Sequence, residues 1–150
     1  MEMALALAEE AATAGEVPVG AVIVSRDGVV LGRGRNCRES GDPLGHAEIV
    51  AIREAAANAE GWRLDGTTMF VTLEPCAMCA GAIVNSRIAV LVFGAADPKA
   101  GFCGSLGNLV QDARLNHRVE LVSGVREDAS SALLKTFFRK LRAGSEPDTT

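Results

Sequence analysis

Thr67–Leu73 (TTMFVTL), Pro75–Asn85 (PCAMCAGAIVN) and Ile88–Phe93 (IAVLVF) decide the fold of this chain. The first and third runs are short and apolar, the pattern of strands buried on both faces. Pro75 has a fixed φ suited to the first turn of a helix, and the middle run is expected to be helical through Asn85. Strand, helix, strand implies a parallel pair joined by a crossover, with the helix packed on the sheet.

Upstream, residues 2 to 14 set Met3, Leu5, Leu7 and Ala11 among Ala and Glu, a helix composition closed by Gly15. Val17–Ser25 and Val29–Arg35 are β-rich runs separated by Asp27-Gly28, a hairpin signal. Asn36–Gly45 contains Gly41, Asp42, Pro43 and Gly45 and is expected to be a loop delivering His46 to the next helix, which ends before Gly61. Downstream, Ala95–Gly107 carries Pro98 and several glycines and is expected to be a surface loop of the kind that carries binding residues. Val119–Val122 is a short last strand, and Leu133, Leu134, Phe137, Phe138 and Leu141 repeat at helical spacing within Arg126–Arg142. The expected product is a single α/β domain over residues 1–143, three layers α/β/α around a mixed sheet of five strands, with a frayed tail at 144–150.

At 150 residues and 48% hydrophobic content the chain can bury one core and is too short for two ordinary domains. No stretch approaches the ~20 unbroken apolar residues of a membrane span. The first residues carry Glu2, Glu9 and Glu10 in place of a basic leader, so no membrane association and a cytoplasmic location are expected. A net charge of −4 argues against a protein that coats nucleic acid through a large cationic surface. A local basic face remains open, because Arg87, Lys99, Arg114, Arg118, Lys135, Arg139, Lys140 and Arg142 fall in the second half of the chain.

Four cysteines would allow two disulfides, but Cys76 and Cys79 form Cys-x-x-Cys beside Pro75, with His46 elsewhere, which suits a metal better. Cys37 and Cys103 are left over, and reduced, small apolar side chains are their plainest reading. Zinc prefers thiolate and imidazole, and catalytic sites use three protein ligands where structural sites close with four. His46, Cys76 and Cys79 supply three. Positions three apart share a helix face, so both sulfurs can meet one ion from the first turn after Pro75, where free amides also favour thiolate.

Glu48 is two residues from His46, about 200° away on a regular helix. Both can face one pocket only if His46 sits at the helix entry, before the backbone becomes regular. A carboxylate so placed belongs beside a metal-bound water. Zinc lowers the pKa of that water to roughly 7, giving a hydroxide nucleophile, and Glu48 is the expected proton carrier between water, substrate nitrogen and departing amine.

The order H-x-E…P-C-x-x-C, with its carboxylate off the metal, is the signature of zinc nucleobase deaminases. Beyond it, the chain closely resembles the TadA family of bacterial tRNA-specific adenosine deaminases. The resemblance runs through Glu16–Ala21, His46–Ile49, Val71–Cys76, Met78–Ala82, Ser86–Ile88, Phe93–Ala95, Gly104–Leu106 and Asn116–Glu120. It implies a cytidine deaminase-like fold, a homodimer with one Zn2+ per subunit, and conversion of the wobble adenosine of a tRNA anticodon stem-loop to inosine, the hydroxide attacking C6 of the extruded base. It also implies substrate contacts from Asn36, from Asp97 and Lys99, and from Phe138 and Arg139 on the last helix, next to Phe137. His117 stays outside the metal site. The chain departs from the family pattern in its short lead before the first helix and in Cys103, which takes a loop position where small uncharged residues are usual.

Two other readings remain at this level. A free nucleobase or nucleoside deaminase of guanine or cytosine type would use the same chemistry on a small ligand. A structural zinc module would need Cys37 or Cys103 as a fourth ligand.

Overall fold

The computed structural model describes residues 1–145. Their elements are α1 (Glu2–Thr13), β1 (Gly20–Val24), β2 (Val30–Arg35), a 3-10 turn (Arg38–Ser40), α2 (Ala47–Asn58), β3 (Thr68–Leu73), α3 (Ala77–Asn85), β4 (Val90–Ala95), β5 (Glu120–Val122) and α4 (Glu127–Ala143). The sheet runs β2-β1-β3-β4-β5. β1 is antiparallel to β2 and to β3, whereas β3, β4 and β5 are mutually parallel, so the mixed sheet of five strands is present. The parallel pair read from residues 67 to 93 sets Val71 opposite Phe93.

The hairpin turns at Gly28, whose φ of 84° is a left-handed conformation that a side chain would resist. α2 covers β2 and β1 on one face, with α3 beside it; α1 and α4 cover the other. Glycines let the layers approach. A Cβ on Gly34 would lie 2.1 Å from the Ala47 carbonyl oxygen of α2, and one on Gly20 would lie 2.0 Å from the Ala4 carbonyl oxygen of α1. The core between the sheet and α2/α3 contains Ile23, Met69, Val71, Ile83, Ile88 and Leu91, all fully buried. Each such side chain is worth about 1.5–3 kcal/mol of apolar transfer. The opposite layer is thinner: in α4, Ser130 is the buried residue.

Several boundaries moved. β1 begins at Gly20 and not at Val17, because Pro18 has no amide to donate to a ladder and the Val19 amide turns back to the Val17 carbonyl oxygen at 2.8 Å. β4 starts two residues later than expected, at Val90, since Ile88 closes the preceding turn onto the Ile83 carbonyl. The loop before His46 contains the 3-10 turn. Of the tail expected at 144–150, residues 146–150 lie outside the described residues; Gly144 and Ser145 cap α4, the Gly144 amide reaching the Lys140 carbonyl oxygen. No helix among the described residues is long and apolar enough to cross a membrane.

Candidate active site

His46 is the N-cap of α2, with extended backbone (φ −83°, ψ 146°), and Cys76 is the N-cap of α3 (φ −73°, ψ 177°). The helix read as beginning at Pro75 therefore begins at Ala77. Pro75 accepts the Phe102 amide at 2.9 Å and Cys76 forms a β-bridge with Gly101, so these residues are tied to the downstream loop before the helix can start. Cys79 lies in the first turn of α3, buried. Two helix N-termini thus point their free amides and positive ends at one spot.

There the His46 Nδ1 stands 3.6 Å from the Cys76 Sγ and 3.5 Å from the Cys79 Sγ, and the three ligand atoms all lie within 4.8 Å of one another. Zinc–sulfur and zinc–nitrogen bonds of about 2.3 and 2.05 Å at a tetrahedral angle require an N···S separation of about 3.6 Å. The donor set fits zinc in chemistry and in spacing. Among the described residues neither Cys37 nor Cys103 joins the cluster. Cys103 is buried with its Sγ 3.9 Å from the Pro75 carbonyl oxygen, and burial pushes its thiol up to about 12. The Cys37 sulfur packs at the Gly45 turn. The His117 Nε2 donates to the Ile88 carbonyl oxygen at 2.7 Å, a structural role away from the cluster.

Without metal, the ligands share protons. Hydrogen bonding from the Cys79 thiol, reinforced by His46, holds Cys76 down at about 4, while Cys79 is raised by that same pairing and by burial. His46 is raised chiefly by its hydrogen bond to Cys76. Glu48, 4% exposed, is raised by burial, against the pull of Cys79 and its own amide.

The extended backbone at His46 answers the angular problem posed by the sequence. His46 and Glu48 line the same cavity of about 210 Å³, together with Asn36, Cys76 and Asp97. The Asn36 Oδ1 accepts the Ala47 amide at 3.2 Å, which leaves its Nδ2 as the uncommitted donor. The Asp97 Oδ1 accepts the amides of Lys99 and Ala100 at 3.0 and 3.2 Å.

Lys99 is not in this cavity. It lines a separate groove with Phe138, Arg139, Lys135 and Arg142, a basic surface with an aromatic ring in it. The Phe137 and Phe138 rings meet edge to face at 5.4 Å; Phe138 is exposed and Phe137 sits half-buried in the α1–α4 groove, so neither belongs to the main core.

Three acidic residues of the cavity wall have no place in the site expected from the sequence, Glu16, Glu39 and Glu74. Glu16 accepts the Glu39 amide at 3.2 Å. Glu74 is 3% exposed, and its carboxylate accepts the amides of Asp97, Cys103 and Ser105. Burial works upward on Glu74 but is outweighed by the Ser105 hydroxyl and these amides, which hold it below the usual carboxylate range. The available signal was a Glu directly before Pro-Cys at a strand end, where a carboxylate is out of place unless it has partners.

Residues 1–142 match the family model of the MafB19-like deaminases. The tRNA-specific adenosine deaminase of Bacillus subtilis is 49% identical over 143 residues, covering 95% of this chain and 88% of that protein. That of Haemophilus influenzae is 48% identical, covering 95% and 83%. A structure solved in a study of A-to-I editing by tRNA:A34 deaminases superposes with a TM-score of 0.84 at 43% identity over 89% of this chain and 97% of that one. A guanine deaminase from Nitrosomonas europaea gives 0.78 at 26% identity, over 91% and 81%. With a deaminase model spanning nearly its whole length and relatives so similar over so much of both chains, the protein belongs to the tRNA-specific adenosine deaminases, within the cytidine deaminase-like superfamily.

Proposed function

We propose that the protein hydrolyses adenosine to inosine at the wobble position, 34, of a tRNA anticodon, as a cytoplasmic homodimer with one zinc ion per subunit. The observation that carries the reading is a buried Glu48 in the same cavity as a His46/Cys76/Cys79 cluster of zinc spacing, in a chain of this family.

His46, Cys76 and Cys79 would hold zinc, which when bound supplies the Lewis acidity that makes water nucleophilic near neutral pH. Glu48 takes a proton from that water and delivers it to a ring nitrogen of the purine. It then carries a proton to the amino group leaving C6, so that water and adenosine become inosine and ammonia. Burial keeps bulk water from competing for that proton and suits a carboxyl that must be protonated for part of the cycle. The Asn36 Nδ2, its oxygen already committed to the Ala47 amide, donates to an acceptor on the base edge. Asp97 lines the wall beside the base, and its second oxygen can accept from a ribose hydroxyl, the group that distinguishes RNA.

The groove of Lys99, Phe138 and Arg139 supports a polymeric substrate, with cations for phosphates and a ring for stacking. Incubating zinc-loaded protein with a synthetic anticodon stem-loop and sequencing the product tests the whole reading. Inosine at one position is expected. Turnover of free guanine, cytosine or adenosine with none on the RNA would replace it with a small-ligand deaminase.

A further inference from the structure

Glu74 is a buried ionisable group that the chemistry above does not use. It directly follows β3, and its own amide donates to the carbonyl oxygen of Ala95, the last residue of β4, at 2.8 Å. Its Oε1 accepts the Asp97 amide at 3.0 Å and the Ser105 hydroxyl; its Oε2 accepts the Cys103 and Ser105 amides at 3.1 and 3.0 Å. One carboxylate therefore gathers both ends of the 96–105 loop. The fit leaves no spare room, since a Cβ on Gly101 would lie 2.2 Å from Oε2.

We propose that Glu74 is a positioning residue that fixes the 96–105 loop as a preformed wall of the active-site cavity, and so sets the grip on the nucleotide being processed without taking part in the chemistry at the metal. The proposal rests on the reading of this cavity as the place where RNA is deaminated. Through the loop, Glu74 holds Asp97 on the cavity wall and Lys99 toward the basic groove. A loop that arrives ordered spares the substrate the cost of ordering it, and that cost falls on binding, not on turnover.

The test is Glu74→Gln, which keeps the shape but turns an amide donor toward groups that are themselves donors. Expected are zinc content at wild-type level, an unchanged charge-transfer spectrum in the cobalt-substituted protein, a KM for the stem-loop raised about tenfold, and kcat within about threefold. Ser105→Ala, which removes only the hydroxyl donor, should move KM the same way by about threefold, and it preserves the test if Glu74→Gln fails to fold. Hydrogen exchange at the amides of Asp97, Cys103 and Ser105 should accelerate in Glu74→Gln protein without RNA. That arm separates this idea from the substrate assignment: if the wild type edits no stem-loop, the substrate reading fails while the loop measurement still decides. A fall in kcat at unchanged KM, a changed cobalt spectrum, or exchange no faster than wild type would each overturn the positioning role.

Discussion

The His46 Nδ1 and the Cys76 Sγ, 3.6 Å apart, belong to the N-caps of two different helices, α2 and α3, and each residue is extended where its helix begins. A metal cluster that joins two neighbouring helices of one layer in this way couples ligand loss to folding. Replacing either residue with alanine should abolish stoichiometric zinc, read by elemental analysis. Chelation of the wild type should lower Tm, and zinc should restore it.

Metal uptake should release protons. In the metal-free site Cys76 lies near 4 and is already thiolate, whereas Cys79 is raised and keeps its proton at neutral pH. Zinc must displace that proton, so apparent affinity should rise with pH, about tenfold per unit for each proton lost. Calorimetric titrations in buffers of different ionisation enthalpy check this; a heat independent of buffer would contradict it.

Glu48→Gln should keep zinc and lose turnover by about 10²- to 10⁴-fold, the usual size of a general acid–base contribution. Elemental analysis and single-turnover editing of a stem-loop give the two numbers. Near-normal turnover would remove Glu48 from its role.

Gly34→Ala should destabilise the protein by about 1–3 kcal/mol and weaken zinc binding together. The new Cβ would sit 2.1 Å from the Ala47 carbonyl oxygen and 2.7 Å from the Ala51 amide, both backbone, so α2 must shift and carry His46 with it. Denaturant unfolding and zinc affinity should move in parallel. A stability loss with unchanged zinc affinity would show that the shift is absorbed elsewhere.

Arg139→Ala should weaken stem-loop binding and reduce the slope of log affinity against log salt by about 0.7 to 0.9, one phosphate contact, leaving saturated turnover intact. Fluorescence anisotropy at several salt concentrations measures it.

Much of this was legible in the chain. The H-x-E and P-C-x-x-C spacings are local, the β3-α3-β4 runs are apolar, and Asp27-Gly28 marks its turn without help from the rest of the molecule. What could not be read depends on contacts distant in sequence. The sequence around Cys76 places it inside the helix, because nothing near it reveals the Gly101 bridge that keeps it extended. Glu74 carries no local signature of its role, because its partners lie 23 to 31 residues away. The family resemblance groups Lys99 with Asp97, yet a loop held from within turns the two toward different surfaces.

The thin anchoring of α4, with Ser130 as its buried residue, fixes an order of melting. Segments with little buried apolar surface open at lower free energy than the core. Gentle warming should therefore peel away the helix carrying Phe138 and Arg139 while the metal cluster, rooted in the opposite layer, is still intact. Such a half-shed enzyme would keep its zinc and lose its hold on long polymers first.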